Sequence, residues 1–155
     1  MTIELISMSA VDYEKFISHS INHFANEKVR AGTWLKEEAM NKSKEAFERL
    51  LPQGLNTNLH YLLSIVDEEQ TIGWLWYFYD DKNLQKEAFI YDFFIYEEYQ
   101  GKGFGKSSLL ALDMLAKDKG IKKISLHVFA HNKRAIQLYE KMDFEATDIS
   151  MSKIL

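Results

Sequence analysis

The 155-residue chain has no cysteine and a single proline, Pro52. Without cysteine there is no disulfide framework, no thiol nucleophile and no cysteine-rich zinc site. No apolar run approaches the ~20 residues of a membrane span, and the opening Met1-Thr2-Ile3-Glu4-Leu5 lacks the basic start and apolar core of a signal peptide. Positive charge is not in excess either: 19 Lys and Arg face 23 Asp and Glu, leaving −4 at pH 7. Nucleic acid is therefore not the expected main partner, because phosphate binding draws on clustered Lys and Arg. A cationic substrate is tolerated. With no long linker, repeat or low-complexity tract, a domain boundary has nowhere to fall. The expectation is one domain over 1–155, cytoplasmic and not membrane-bound.

What the chain does contain is two regimes of hydrophobic period. Residues 2–8 alternate like a half-buried strand, and Ser9 is placed to cap a helix over about 10–30 with Phe16, Ile17, Ile21 and Phe24 at helical spacing. Gly32 followed by Thr33 reads as one helix ending and the next beginning, and that second helix should stop before Pro52. From about residue 58 the period is that of strands, over 59–66, 72–79 and 88–96, with short polar turns that imply an antiparallel meander. A helix at 106–119 ending at Gly120, a strand at 122–128, a helix at 132–142 and a final strand at about 145–153 complete the expected order. The fold class expected is α+β around a mixed, mostly antiparallel sheet with flanking helices and one parallel crossover.

Between the third of the central strands and the following helix stands Gln100-Gly-Lys-Gly-Phe-Gly-Lys106. Glycines there let the backbone approach a ligand, and the free N–H groups of a helix start favour an anion. A dinucleotide fingerprint does not fit: the glycines are spaced Gly101-x-Gly103-x-Gly105, and Val128 and Phe129 stand where an acid is wanted. A Walker A loop matches only through Gly105-Lys106-Ser107, since Gln100 takes the place of its first glycine.

A third pattern does fit. Gln100-Gly101-Lys102-Gly103-Phe104-Gly105 resembles the Gln/Arg-x-x-Gly-x-Gly/Ala loop of the GNAT superfamily, the Gcn5-related N-acetyltransferases. At the right distance, Asn132-Lys-Arg-Ala135-Ile-Gln-Leu-Tyr139-Glu-Lys-Met-Asp-Phe144 resembles that family's second signature, and 91–99 is similar to its fourth strand. The resemblance spans about 88–144. One departure is Asp143, where the family usually has glycine; Asp can occupy the left-handed position, though less easily.

The resemblance implies a cleft where parallel strands 88–96 and 122–128 splay apart to take acetyl-CoA. Pyrophosphate would lie on Gln100, Gly101, Lys102, Gly103, Phe104, Gly105 and Lys106, the pantetheine arm beside Phe94 and Ile95, and Asn132 near the cofactor or capping its helix. Transfer to a primary amine would be direct, without an acyl-enzyme. Tyr139 would protonate the departing sulfur, its alternative being a core ring on an apolar stripe. Asp92, an acid inside an aromatic strand, is read as general base or amine anchor, and equally as half of a buried salt bridge.

Trp34, Trp74, Trp76 and Tyr91 are candidates for a substrate wall, core packing being the commoner role for most of them, and Trp34, Trp76 and Tyr91 are read as substrate-binding residues. No metal site is expected: His19 and His23 stand one helical turn apart, but Ser20 replaces the glutamate of a zincin pair, so both read as surface residues. His127 is placed either to assist proton transfer or to serve as a structural histidine. The acceptor expected is a small amine, with a protein N-terminus or lysine, or a non-catalytic acyl-CoA-binding module, as alternatives. A homodimer is common in the family.

Overall fold

The computed structural model describes residues 2–155. Five strands form one sheet in the order β1-β2-β3-β4-β5: β1 (Ile3–Ser7), β2 (His60–Asp67), β3 (Gln70–Tyr79), β4 (Glu87–Ile95) and β5 (Lys123–Leu126). The first four are antiparallel neighbours and β4 pairs with β5 in parallel, so the mixed sheet expected from the sequence is the one that forms. Four α-helices accompany it: α1 (Ala10–Arg30), α2 (Lys36–Leu50), α3 (Phe104–Asp118) and α4 (Lys133–Lys141).

Alternation along the strands assigns the faces. Leu62, Trp74 and Trp76 pack with Phe16 of α1 and Phe47 of α2. Leu75, Tyr77 and Ile90 turn the other way, onto Leu109, Leu112 and Ala116 of α3, with Leu138 and Tyr139 of α4 at the edge. Ser9 caps α1 as its chemistry suggests, its Oγ accepting from the Asp12 N–H at 3.1 Å.

Two expectations are corrected. Thr33 does not open the second helix: α2 begins at Lys36 after Leu35, which makes no side-chain cap, and Gly32 at φ 79° closes the turn before it. The final strand over 145–153 does not form. Residues 145–155 are all exposed and enter no ladder, because β-propensity reports fit to a half-buried pleat and no buried face remains for this segment. β5 is also shorter than the 122–128 expected, and this matters for the site.

Gly73 of β3 is held to glycine by a close backbone approach. A Cβ there would lie 2.1 Å from the Phe94 carbonyl oxygen and 3.0 Å from Ile95 Cα. Gly73→Ala must therefore push β4 away at Phe94 and Ile95. Overpacking of this kind costs about 1–3 kcal/mol, and the expected result is a melting temperature lower by several degrees, read by calorimetry. An unchanged value would show that β4 yields freely there.

Candidate active site

β4 and β5 pair only from Glu87↔Lys123 to Ile90↔Leu126. Beyond that point β4 continues to Ile95 without its neighbour, so a gap opens between residues 91–95 and the chain after Leu126. Opposite the gap, the ladder with β3 slips: Trp76 pairs with Asp92 and Tyr77 with Ile90, leaving Tyr91 as the extra residue of a bulge. A bulge re-aims side chains. Here Tyr91 stacks on Trp76, centroids 4.8 Å apart, while the next residue, Asp92, bonds to Trp74 on the same helical face of the sheet.

Asp92 is the acid at the heart of this gap. Its Oδ2 accepts from Ser20 Oγ of α1 at 2.6 Å and from Trp74 Nε1 at 3.1 Å. Oδ1 has no protein donor among the described residues, and no cation pairs with the carboxylate, so the buried salt bridge considered above is not what holds it. Burial pushes its carboxyl above the ordinary range, outweighing the Ser20 and Trp74 hydrogen bonds and the nearby His23 and His19, which act downward. Tyr139 lies near enough for the Asp92 charge to act on it. Burial first, and Asp92 second, raise the phenol above its usual value and keep it protonated. Its ring packs edge-on against Phe144, at 5.6 Å.

At the far end of the gap the glycine loop opens α3. Gly101 at φ 75° and Gly103 at φ 87° take left-handed conformations, with Gly103 as the N-terminal cap of a 15-residue helix. Gln100 ties the loop to the strand, its Nε2 donating to the Ile95 carbonyl at 2.7 Å. Lys102 and Lys106 are exposed, Phe104 packs against Tyr99, and Gly105 lets α3 approach Leu138 of α4, whose Cδ2 would meet a Cβ at 3.0 Å. Asn132 sits at the N-terminus of α4 but its side chain does not cap it. Asp143 takes the left-handed position at φ 69°.

The structure also places residues that the sequence reading passed over or set aside. Arg134 Nη2 stands 3.2 Å from where a Gly101 side chain would begin, so a guanidinium borders the loop. Ser20 reaches Asp92 across 72 positions of sequence, and no local pattern announces it. His19 is exposed, as expected of a surface residue, yet its ring lies against Phe94 at 4.6 Å and Trp74 at 5.1 Å. Among the other candidates, Trp76 is 1% exposed, its Nε1 donating to His60 Nδ1, and Tyr91 at 39% carries the open surface in front of it. Trp34 packs on Phe24, which in turn meets Phe129 beyond β5. His127 is exposed with its ring edge-on to Phe129. Among the described residues no group of three or more His, Asp or Glu is gathered to hold a metal ion, and no helix is long and apolar enough to cross a membrane.

A sheet that parts between parallel neighbours, a glycine-rich helix start at the foot of the gap and a half-buried acid at its side define an α+β fold of the acyltransferase class. Comparison with known proteins gives the family. The acetyltransferase (GNAT) family matches residues 26–144. The chain is 49% identical over 156 residues, the full length of both, to YycN of Bacillus subtilis, an uncharacterized N-acetyltransferase. The crystal structure of YycN superposes with a TM-score of 0.96 at 48% identity over 99% of each chain. Spermine/spermidine N(1)-acetyltransferase of Bacillus subtilis is 43% identical over 68 residues, 43% of this chain and 45% of that protein. The PaiA N-acetyltransferase of Thermoplasma acidophilum, solved with coenzyme A, shares the fold at a TM-score of 0.69 and 23% identity, over 97% of this chain and 94% of that one. The chain belongs to the GNAT acetyltransferase family.

Proposed function

We propose that residues 1–155 form a single-domain N-acetyltransferase that moves the acetyl group of acetyl-CoA directly to a primary amine of a small molecule, in the cytoplasm. The observation that carries this reading is the parting of β4 from β5 at Ile90 and Leu126, with Asp92 and Tyr139 beside the gap and the glycine loop at its end. The residues present suit an elongated anionic donor. Gly101 and Gly103 leave backbone amides uncovered, Arg134 borders them, and α3 presents its N-terminus. The match to a spermine/spermidine acetyltransferase over 68 residues supports a small amine as acceptor.

In this reading acetyl-CoA supplies the activated thioester, and the protein supplies position and protons. The amides of residues 100–106 and the Arg134 guanidinium bind phosphate, and the backbone near Phe94 and Ile95 holds the arm of the donor. Asn132 adds a polar contact from the start of α4. The Asp92 carboxylate, anchored through Oδ2, keeps Oδ1 for a cationic amine. Tyr139 holds a proton on its hydroxyl for the departing sulfur. Tyr91, with Trp76 behind it and Trp34 against Phe24 of α1, would flank the acceptor.

Thermal shift tests the donor site. Acetyl-CoA at ~100 times its dissociation constant adds about 2.7 kcal/mol of stability, whereas ATP and NAD should shift the melting temperature far less. Gly103→Val puts a β-branched residue at φ 87°, and should weaken acetyl-CoA binding at least about tenfold while the circular dichroism stays that of a folded chain. Equal stabilisation by ATP would replace the donor with a nucleotide. Thiol release from acetyl-CoA against spermidine, tyramine and N-terminal peptides then tests the acceptor. Turnover of peptides alone would make the acceptor a protein, and binding without turnover would leave an acyl-CoA-binding module.

A further inference from the structure

α1 crosses β3 and β4 where β4 has lost β5, and three of its residues face that stretch together. Ser20 bonds to Asp92, His19 lies on Phe94 and Trp74, and the His23 ring stacks on His19 with centroids 5.5 Å apart. Phe94 is the residue two beyond Asp92 on the same face of β4, so the imidazole and the carboxylate are neighbours across one strand repeat. Both histidines are exposed, so this corner of the gap stays open to a substrate and to water.

A primary amine arrives as an ammonium ion, which has no lone pair to attack with. The carboxylate of Asp92 can bind that cation but has Oδ2 committed to Ser20 and Trp74. An imidazole that is neutral at pH 7 is the better proton acceptor, because its proton affinity lies nearer the operating pH. We propose that His19 is a catalytic residue that takes the proton of the incoming ammonium while Asp92 holds its charge. This role rests on the amine-acetylation reading given above.

The protons balance. His19 removes one from R–NH3+, giving R–NH2 and an imidazolium that releases it to water past His23. The amine nitrogen then forms the C–N bond at the acyl carbon as the C–S bond breaks. Tyr139 gives its proton to the sulfur and regains one from the acylated nitrogen. The sum is one amide, one thiol and one proton to solvent.

The groups facing His19 set its titration. Burial against Trp74 and Phe94 and the adjacent His23 push it below the ordinary histidine value, while Asp92 of β4 and Glu97 beyond it act upward. The lowering side wins, so the ring is neutral at pH 7 and the imidazolium formed in the reaction faces two carboxylates.

The experiment is kcat/KM for spermidine, or for the amine of the panel turned over fastest, from about pH 5 to pH 10 in wild type, His19→Gln and His19→Ala. His19→Gln should be about tenfold to 10²-fold slower at pH 7, and the deficit should close as pH approaches the amine's own pKa, about 10.4 for an alkylammonium. Added imidazole should restore His19→Ala. In the free protein the His19 ring should titrate by NMR below the ordinary value, and lower still in Asp92→Asn. A deficit equal at every pH, with no imidazole rescue, would make His19 a packing residue and overturn the proposal while leaving the acetyltransferase reading intact. Wild type releasing no thiol with any amine would overturn that reading, and this role with it. An unchanged acetyl-CoA thermal shift in both variants shows that any loss arises on the acceptor side.

Discussion

Asp92→Asn should be more stable than wild type at pH 7 and slower in acetyl transfer by about 10²-fold, what losing a charge-assisted contact of about 3 kcal/mol to the amine costs. The two effects have one cause. Asp92 is a half-buried carboxylate with no cationic side chain bonded to it, and its carboxyl is raised mainly by desolvation. A group whose folded pKa is raised contributes stability that is fully present below its unfolded value and is lost as pH rises through the folded one. At pH 7, well above the unfolded value, this raised carboxyl therefore weighs against folding. Asparagine removes the charge and keeps an amide oxygen to accept from Ser20 and Trp74. The stability advantage of the variant should vanish near pH 4, about the ordinary aspartate value, and grow above it. Melting temperatures of both proteins across that range, beside turnover at saturating amine, make the measurement. A variant less stable than wild type at every pH would show that the carboxylate serves the fold. A trade of stability for activity is what a site of this kind predicts.

How far the sequence revealed this site depended on how local each signal was. The glycine loop is legible because its conformation is set by a few adjacent residues: Gly101 and Gly103 at positive φ, followed by a helix with Leu109, Leu112 and Ala116 on one stripe. The α4 signature is legible for the same reason, down to Asp143 taking the left-handed turn. Asp92 was marked by contrast, an acid among Tyr91, Phe93 and Phe94. Its partners were not marked, because Ser20 and Trp74 reach it through the packing of α1 on the sheet, and nothing in the period of α1 distinguishes Ser20 from any other small polar residue. The bulge at Tyr91 was hidden as well. It puts Tyr91 and Asp92 on one face, where strict alternation would have separated them. The segment after Phe144 shows the opposite error, an apolar scatter of Ile149 and Met151 read as a strand over 145–153 although no partner or buried face receives it. Arg134 lies inside the recognised signature, but only the approach of α4 to Gly101 gives its charge a place.

Tyr139→Phe should lower acetyl transfer by at least about tenfold and as much as 10⁴-fold, the range of acid catalysis by a positioned side chain. Expulsion of a thiolate is helped by a proton delivered as the carbon–sulfur bond breaks. The Tyr139 phenol carries a proton at neutral pH, and burial and the Asp92 charge hold it there until a thiolate develops beside it. The substitution deletes the hydroxyl alone. The ring still packs edge-on to Phe144, and the Phe144 N–H still closes the end of α4 on the Tyr139 carbonyl at 2.9 Å. No protein group among the described residues bonds the hydroxyl, so no buried partner is stranded by its removal, a loss that would otherwise cost about 1–3 kcal/mol. Stability should accordingly stay near wild type, and the acetyl-CoA thermal shift should persist, since the loop amides and Arg134 are untouched. Single-turnover thiol release from bound acetyl-CoA at saturating amine isolates the chemical step from product release. A smaller deficit with a donor whose leaving thiol is more acidic would tie the loss to protonation of sulfur, because such a thiolate departs with less help. An unchanged single-turnover rate would return Tyr139 to the apolar stripe of α4 and assign the proton to water.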